Sequence, residues 1–436
     1  MPDSQLTVMQ VIPRLDAGGA ERTTLEINKA LVESGWHSLV VSSGGRYANS
    51  ITADGGTHIT LPVHSKNPVQ IALNGQALSK IARSHGVNII HARSRAPAWS
   101  CLNASRKTGL PFVTTYHGAY KTGGTLKRHY NSVMVRSTRV IANSHFTASQ
   151  ILKTYKDRDP ALSKRMHVIH RGADLTRFDP ASLSEKRIAQ ATQGWDLTPS
   201  SLAGPRDNSD LPVLRLLLPA RMSRWKGHET AIKAVKSLAG SGQDGILRLI
   251  FCGGRSDNGH FSQVHGDTEP TDQTSGSMGS LERELRDMVL QFGIGDLIHF
   301  SGYCEDMPAA LGWADGVIAP STRPEAFGRV AVEAGAMGVP VLASNHGGAK
   351  ETILDQKTGF LFTPDDSEAL AGAIKKLQQM GPEGRTKLGT AAKTHIQNNF
   401  SVHSMCGNTL ALYKDVLADH GISHSASADD AMIEQS

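Results

Sequence analysis

The chain is poor in several things. Its 436 residues include only four cysteines, Cys101, Cys252, Cys304 and Cys406. They are scattered without a C-x-x-C pair, which argues against a disulfide framework or zinc site and for small buried thiols. No apolar run reaches the ~18 residues that a membrane span needs. The start, M-P-D-S-Q-L-T-V-M-Q-V-I-P, lacks the basic stretch and long apolar centre of a secretory signal. Both absences point to a soluble, cytoplasmic protein. No D-x-D stands in a context fit for a metal: D-R-D at Asp157–Asp159 lies in a charged stretch followed by proline, so no metal or other cofactor is expected. The basic runs carry no interleaved aromatics and no nucleic-acid motif, which excludes DNA and RNA as the favoured partners. A strict G-x-G-x-x-G is also missing. The first glycine pair, Gly18 and Gly19 in D-A-G-G-A-E, departs from it, and the second apolar run ends in S-S-G-G-R with no acid, so dinucleotide binding is disfavoured.

What is present is unevenly distributed. The net charge is +6, yet residues 101–180 hold fourteen Lys/Arg against four Asp, a local +10. A charge run is often a solvated face, but a basic region also steers a protein toward anionic surfaces or substrates. A lipid surface therefore ranks above nucleic acid, which makes peripheral attachment to the inner face of the cytoplasmic membrane an expectation.

At ~100–200 residues per domain the length favours two domains. Leu6 to Ile12 reads as a strand, followed by a glycine turn, a helical pattern with Leu25, Ile27, Leu31 and Val32, and a second strand from Ser38. This alternation indicates a parallel α/β sheet, and it continues through V-N-I-I-H, P-F-V-T-T-Y-H, R-V-I-A-N-S and H-V-I-H. One doubly wound domain is expected over residues 1–178 and a Ser/Asp/Pro/Gln-rich linker over 179–211. A second α/β domain follows over 212–400, with a polar, mobile insertion at 255–280. An amphipathic helix at 401–418 and a disordered tail at 419–436 complete the chain.

Candidate chemistry falls at strand ends, where open α/β sheets bind ligands. P-E-A-F-G-R-V-A-V-E follows the strand G-V-I-A-P-S and carries Glu325 and Glu333. On a continuous helix they would be ~12 Å apart along the axis. A carboxylate accepts two hydrogen bonds and a vicinal diol offers two, so each acid suits a sugar or a ribose. Between them Phe327, Gly328, Arg329 and Val330 present amides near a helix start, where phosphate or hydroxyl oxygens are held well. The bland alternative is an acid favouring a helix N-terminus and a surface acid. A-R-M-S-R-W-K-G places Arg221 and Lys226 five residues apart after another strand, able to clamp one diphosphate, with Arg224 an equally charged neighbour. Gly18 and Gly19 permit close backbone approach to a ligand, or form a plain turn. His117 leaves a strand end in T-T-Y-H-G, and position alone leaves structural and functional roles open. Arg93 and Arg95, in H-A-R-S-R-A-P-A-W, could hold an anionic acceptor.

Together these residues resemble the family-4 retaining glycosyltransferases of GT-B fold, in which two Rossmann-like, doubly wound domains face each other across a cleft. The likeness runs from V-I-P-R-L-D-A-G-G-A-E-R to F-S-V-H-S-M-C-G-N-T-L-A-L-Y. It is most specific at the E-x7-E pair, the R-x4-K pair and G-G-A-K-E (Gly347–Glu351). The resemblance implies that Glu325 binds the donor sugar, Glu333 the ribose diol, and Arg221 with Lys226 the diphosphate, doing a metal's work. It implies too that Gly19 approaches the phosphates, that His117 meets the transferred sugar, and that the C-terminal helix returns to the first domain. Departures are Arg171 in R-G-A-D, Arg329 where a small apolar residue is usual, and the long 255–280 segment. The implied activity is transfer of a hexose, mannose being the candidate, from a UDP- or GDP-linked donor with retention of configuration. The acceptor would be an anionic lipid-linked saccharide, similar to those of the lipopolysaccharide-core enzymes. A sugar-nucleotide epimerase of the same fold and a noncatalytic nucleotide-binding scaffold are the alternatives.

Overall fold

The structure is a computed structural model that describes residues 5–16, 18–118, 124–195, 213–240, 247–253 and 279–422. The expected insertion and tail fall almost entirely outside these residues.

The chain divides into two compact units: the described residues up to His170 together with those from Met405, and Arg171 to Ser404. In the first unit, strands β1 (Thr7–Val11), β2 (His37–Ser42), β3 (Thr57–Thr60), β4 (Ile89–Ala92), β5 (Phe112–Tyr116), β6 (Arg139–Ala142) and β7 (Met166–Val168) form one sheet. Its order is β3-β2-β1-β4-β5-β6-β7, and every pairing is parallel. In the second, β8 (Leu214–Pro219), β9 (Leu247–Cys252), β10 (Ile298–Gly302), β11 (Gly316–Ala319), β12 (Val341–Ser344) and β13 (Gly359–Phe362) run β10-β9-β8-β11-β12-β13, again all parallel. Both orders reverse beside the first strand, between β1 and β4 and between β8 and β11. That reversal opens a crevice at the carboxyl ends of the strands.

Helices cover both faces, so central strands are buried throughout and read as unbroken apolar runs; β9, Leu-Arg-Leu-Ile-Phe-Cys, is buried along its whole length. Its Arg248 reaches the carbonyl of Asp296. The first unit's core gathers Met9, Val11, Leu39, Ile90, Phe112 and Tyr116. In the second, one face packs Leu216, Leu218, Phe251 and Ile374. The other packs Leu217, Val317, Phe327 and Phe400. Helix starts follow local chemistry: Asn67 caps Pro68–Ser84, Asp306 caps Met307–Trp313 and Asp366 caps Ser367–Gln379 through side-chain bonds to first-turn amides.

Residues 179–195, expected as linker, are packed in the second unit. Leu183 and Ile188 join its core, Trp195 meets Trp313 edge to face at 5.4 Å, and Arg187 grips Asp306 with two bonds of 2.7 and 2.9 Å. Apolar residues inside a polar composition decide this. The helix Val402–Asp419 belongs from Met405 onward to the first unit, where Tyr413 is fully buried. All four cysteines are free, three of them buried, and the half-buried Cys304 lies beside Cys252. Among the described residues no helix is long and apolar enough to cross a membrane.

Candidate functional site

The second unit builds its site from the loops after β8 and β11, the two strands flanking the reversal. Gly227 (φ +77°) draws these loops together, since a Cβ there would lie 1.8 Å from the Pro320 carbonyl oxygen. The contact sets Lys226 opposite Glu325: Lys226 Nζ donates to Glu325 Oε1 at 2.9 Å, with side chains only 13% and 23% exposed. Ser321 donates its hydroxyl to the same oxygen. Lys226 also stands 4.4 Å from the Trp225 ring centroid.

A third loop, after β12, braces the acid from behind. The Gly348 amide donates to the Glu325 carbonyl at 2.9 Å, and His346 Nε2 donates to the Ser321 carbonyl at 2.7 Å. Gly347 adopts φ +61°, and a Cβ there would come within 2.4 Å of the Glu325 carbonyl oxygen. The paired glycines of G-G-A-K-E thus serve the position of Glu325.

Burial pushes the Glu325 carboxyl upward, but Lys226, the Ser321 hydroxyl and His346 outweigh it, and the net direction is below the ordinary 4.5. Glu325 is therefore a carboxylate at neutral pH. Arg221 is exposed, yet partial desolvation lowers its guanidinium from the ordinary value and the Glu325 charge opposes that shift, which puts Arg221 within the field of the acid. Arg224 points elsewhere and pairs with Glu284 at 2.6 Å on an exposed face. The structure thus separates two cations that the sequence alone could not.

Glu333 is placed differently from the simple helical picture. The helix begins only at Arg329, so Glu333 lies just over one turn in, and the ~12 Å axial separation does not apply. Residues Ala326–Gly328 are not helical, so no single axis joins the two acids. Glu333 pairs with Arg329 at 2.8 Å across one turn, so the unusual arginine is the acid's partner. Phe327 is a core residue, 2% exposed and packed on Phe400 at 5.9 Å, leaving its backbone as the group a ligand could use. Gly328 precedes the helix, and Val330 borders the Glu325 recess.

In the first unit Gly18 and Gly19 sit at the start of the helix Gly19–Glu33, just after β1. His117 follows β5, its carbonyl accepting from Asn143 at 3.4 Å. Arg95 bonds Asn131 at 3.0 Å. Arg93 corrects the sequence expectation of a cation offered to an acceptor. It is 3% exposed, its guanidinium held by Gln10 at 3.0 and 2.5 Å and by Tyr413 of the C-terminal helix. His91 beside it joins the Tyr413 hydroxyl at 2.5 Å and Thr115 at 2.7 Å. This buried polar chain ties the C-terminal helix to β1, β4 and β5. Part of the basic segment is likewise structural, with Arg165 on Asp159 and two carbonyls and Arg139 on Asp419.

Two doubly wound parallel units, the second holding a charged acid between a lysine and a serine at its strand-order reversal, define a protein of the GT-B class. Residues 208–395 match the family described as glycosyl transferases group 1, and residues 17–177 match glycosyltransferase family 4. A solved glycosyltransferase from Rickettsia africae is 31% identical with a TM-score of 0.79, covering 95% of this chain and 99% of its own. The chain belongs to these glycosyltransferases. The Anabaena protein HepE, solved with UDP and glucose, shares the fold at 19% identity and a TM-score of 0.72, over 94% of this chain and 100% of its own. The D-inositol 3-phosphate glycosyltransferase of Corynebacterium kroppenstedtii is 28% identical over 287 residues, 65% of this chain and 55% of that protein. The chain thus spans only a little over half of that relative's length.

Sequence reasoning passed over Ser321, Ser344 and His346. Two signals could have pointed to them: Ser321 closes a strand-end A-P-S, and His346 directly precedes the glycine pair.

Proposed function

We propose that this chain transfers a hexose from a nucleoside diphosphate sugar to a hydroxyl of an anionic acceptor, with retention of configuration. The observation that carries the proposal is the Lys226–Glu325 pair with Arg221 in its field: a cation suited to phosphate adjoins a carboxylate suited to sugar hydroxyls. HepE's complex with UDP and glucose supports this class of donor.

In this reading Arg221 and Lys226 stabilise the negative charge that builds on the leaving diphosphate, the work a metal would otherwise do. Glu325 fixes the sugar ring, and Glu333 takes the ribose diol. The amides of Phe327, Gly328, Arg329 and Val330 serve the diphosphate or sugar oxygens. Gly19 and His117 keep the roles implied by the resemblance, toward phosphate and sugar. The acceptor oxygen attacks the anomeric carbon from the face that the diphosphate leaves. The acceptor's proton passes to the departing phosphate oxygen, which balances the step. The acceptor is an anionic polyol or lipid-linked saccharide. Its charge is supported by the relatives named for inositol 3-phosphate and by the basic 101–180 segment, whereas a lipopolysaccharide core rests on the sequence likeness alone.

Glu325→Gln tests the reading. It should lower transfer by about 10²–10³-fold while nucleoside diphosphate binding persists; unchanged transfer removes Glu325 from the mechanism. UDP, GDP and ADP, each in parallel without metal, identify the base: ~100-fold excess over Kd stabilises by ~2.7 kcal/mol. Conversion of the donor alone, with no acceptor present, would turn the assignment to an epimerase.

A further inference from the structure

Behind Glu325 lies a recess that the proposed roles leave unused. Ser344, the last residue of β12, is 2% exposed, and among the described residues its hydroxyl has no hydrogen-bond partner. Buried hydroxyls are nearly always paired, so an orphan at a strand's carboxyl end invites a ligand. Ser344 lines the recess with Ser321, Glu325 and His346, while Ala319, Ala331 and Ala343 wall it. Its volume is about 20 Å³, room for one water-sized group and far too little for a sugar ring.

The polar groups around this space are complementary. A carbonyl oxygen cannot donate, so His346 Nε2 carries a proton toward Ser321 and holds that loop in place. The bonds from Lys226 and Ser321 both fall on Oε1 of Glu325, and among the described residues none falls on Oε2, the oxygen a ligand would meet. Ser344 supplies a donor. A group that both donates and accepts fits this set, and a hydroxyl is the smallest that does. A phosphate oxygen would meet the Glu325 charge, and an acetamido group would exceed the space.

We propose that the recess reads one hydroxyl of the transferred sugar, with Ser344 as a specificity-determining residue. The inference rests on the assignment of Glu325 to the donor sugar and adds which residues choose among sugars. The hydroxyl accepts from Ser344 and donates to Glu325 Oε2. Donors lacking that hydroxyl, or carrying an acetamido group there, leave Ser344 unpaired or do not fit.

Calorimetric titration of the full chain with UDP, GDP, UDP-glucose and GDP-mannose, then with monodeoxy analogues of whichever sugar nucleotide binds, tests this. In the wild type one deoxy position should lose about 10-fold in affinity. In Ser344→Ala that penalty should vanish, the parent donor should bind about 10-fold more weakly, and the bare nucleoside diphosphate should bind within 2-fold of wild type. The last value also shows that the variant's site is folded, and its Tm should hold or rise because an unpaired hydroxyl is gone. Unchanged discrimination among analogues, with diphosphate binding intact, overturns the role of Ser344 alone and leaves a water pocket. Failure of the wild type to bind either nucleoside diphosphate or its sugar overturns the donor-site reading and this inference with it.

Discussion

Removing Lys226 should expose how strongly the site depends on it. At 2.9 Å and an effective dielectric of ~20, the attraction between Lys226 and Glu325 is about 6 kcal/mol before desolvation is counted. Both groups lose most of their hydration, and the exposed fractions of 13% and 23% admit some screening. Lys226→Ala should therefore cost about 2–3 kcal/mol, somewhat less than breaking a fully buried pair, because it strands a half-buried carboxylate. Glu325→Gln added to it should cost little more, giving a coupling of about 2 kcal/mol in the double-mutant cycle. Urea unfolding followed by tryptophan fluorescence suits the measurement, with Trp225 beside the pair as reporter. The coupling must also titrate. The folded-state pKa of Glu325 lies below 4.5, so the pair's stabilisation is fully present above that value and disappears as pH falls through the lowered pKa. A coupling under about 0.5 kcal/mol at pH 7, or one that persists in strong acid, would refute this account of the site's electrostatics.

Two further outcomes follow from groups outside the ion pair. Burial, then the charge of Lys226, pushes His228 down from 6.5 to about 4, so its native form stays neutral while the unfolded chain protonates. Stability from this group is whole above pH 6.5 and is lost toward pH 4. His228→Leu should therefore gain up to about 3 kcal/mol on wild type between pH 7 and pH 4 in urea titrations, and parallel pH profiles would reject the assignment. Tyr413→Phe removes the hydroxyl shared by His91 and Arg93 and should cost about 1–3 kcal/mol by the same unfolding assay. No loss would mean that apolar packing alone holds the C-terminal helix.

Local signals carried much of the organisation. Unbroken apolar runs separated by helical patterns are what two-sided burial of parallel strands demands, so the doubly wound class is legible from Leu6 to Phe400. The acids and cations at strand ends are equally visible, because β–α loops always follow the runs. The sequence by itself could not assign partners. Arg221, Arg224 and Lys226 are interchangeable as letters, and only the meeting of the β8 and β11 loops gives Lys226 to Glu325 while Arg224 goes to Glu284. Arg93 reads as a binding cation until β1 supplies Gln10 and a helix some 320 residues away supplies Tyr413. Ser344 reads as nothing at all, since an unpaired hydroxyl is a property of its surroundings. Periodicity is written residue by residue, whereas charge pairing and recess shape arise between segments distant in the chain, so only the tertiary structure could decide them.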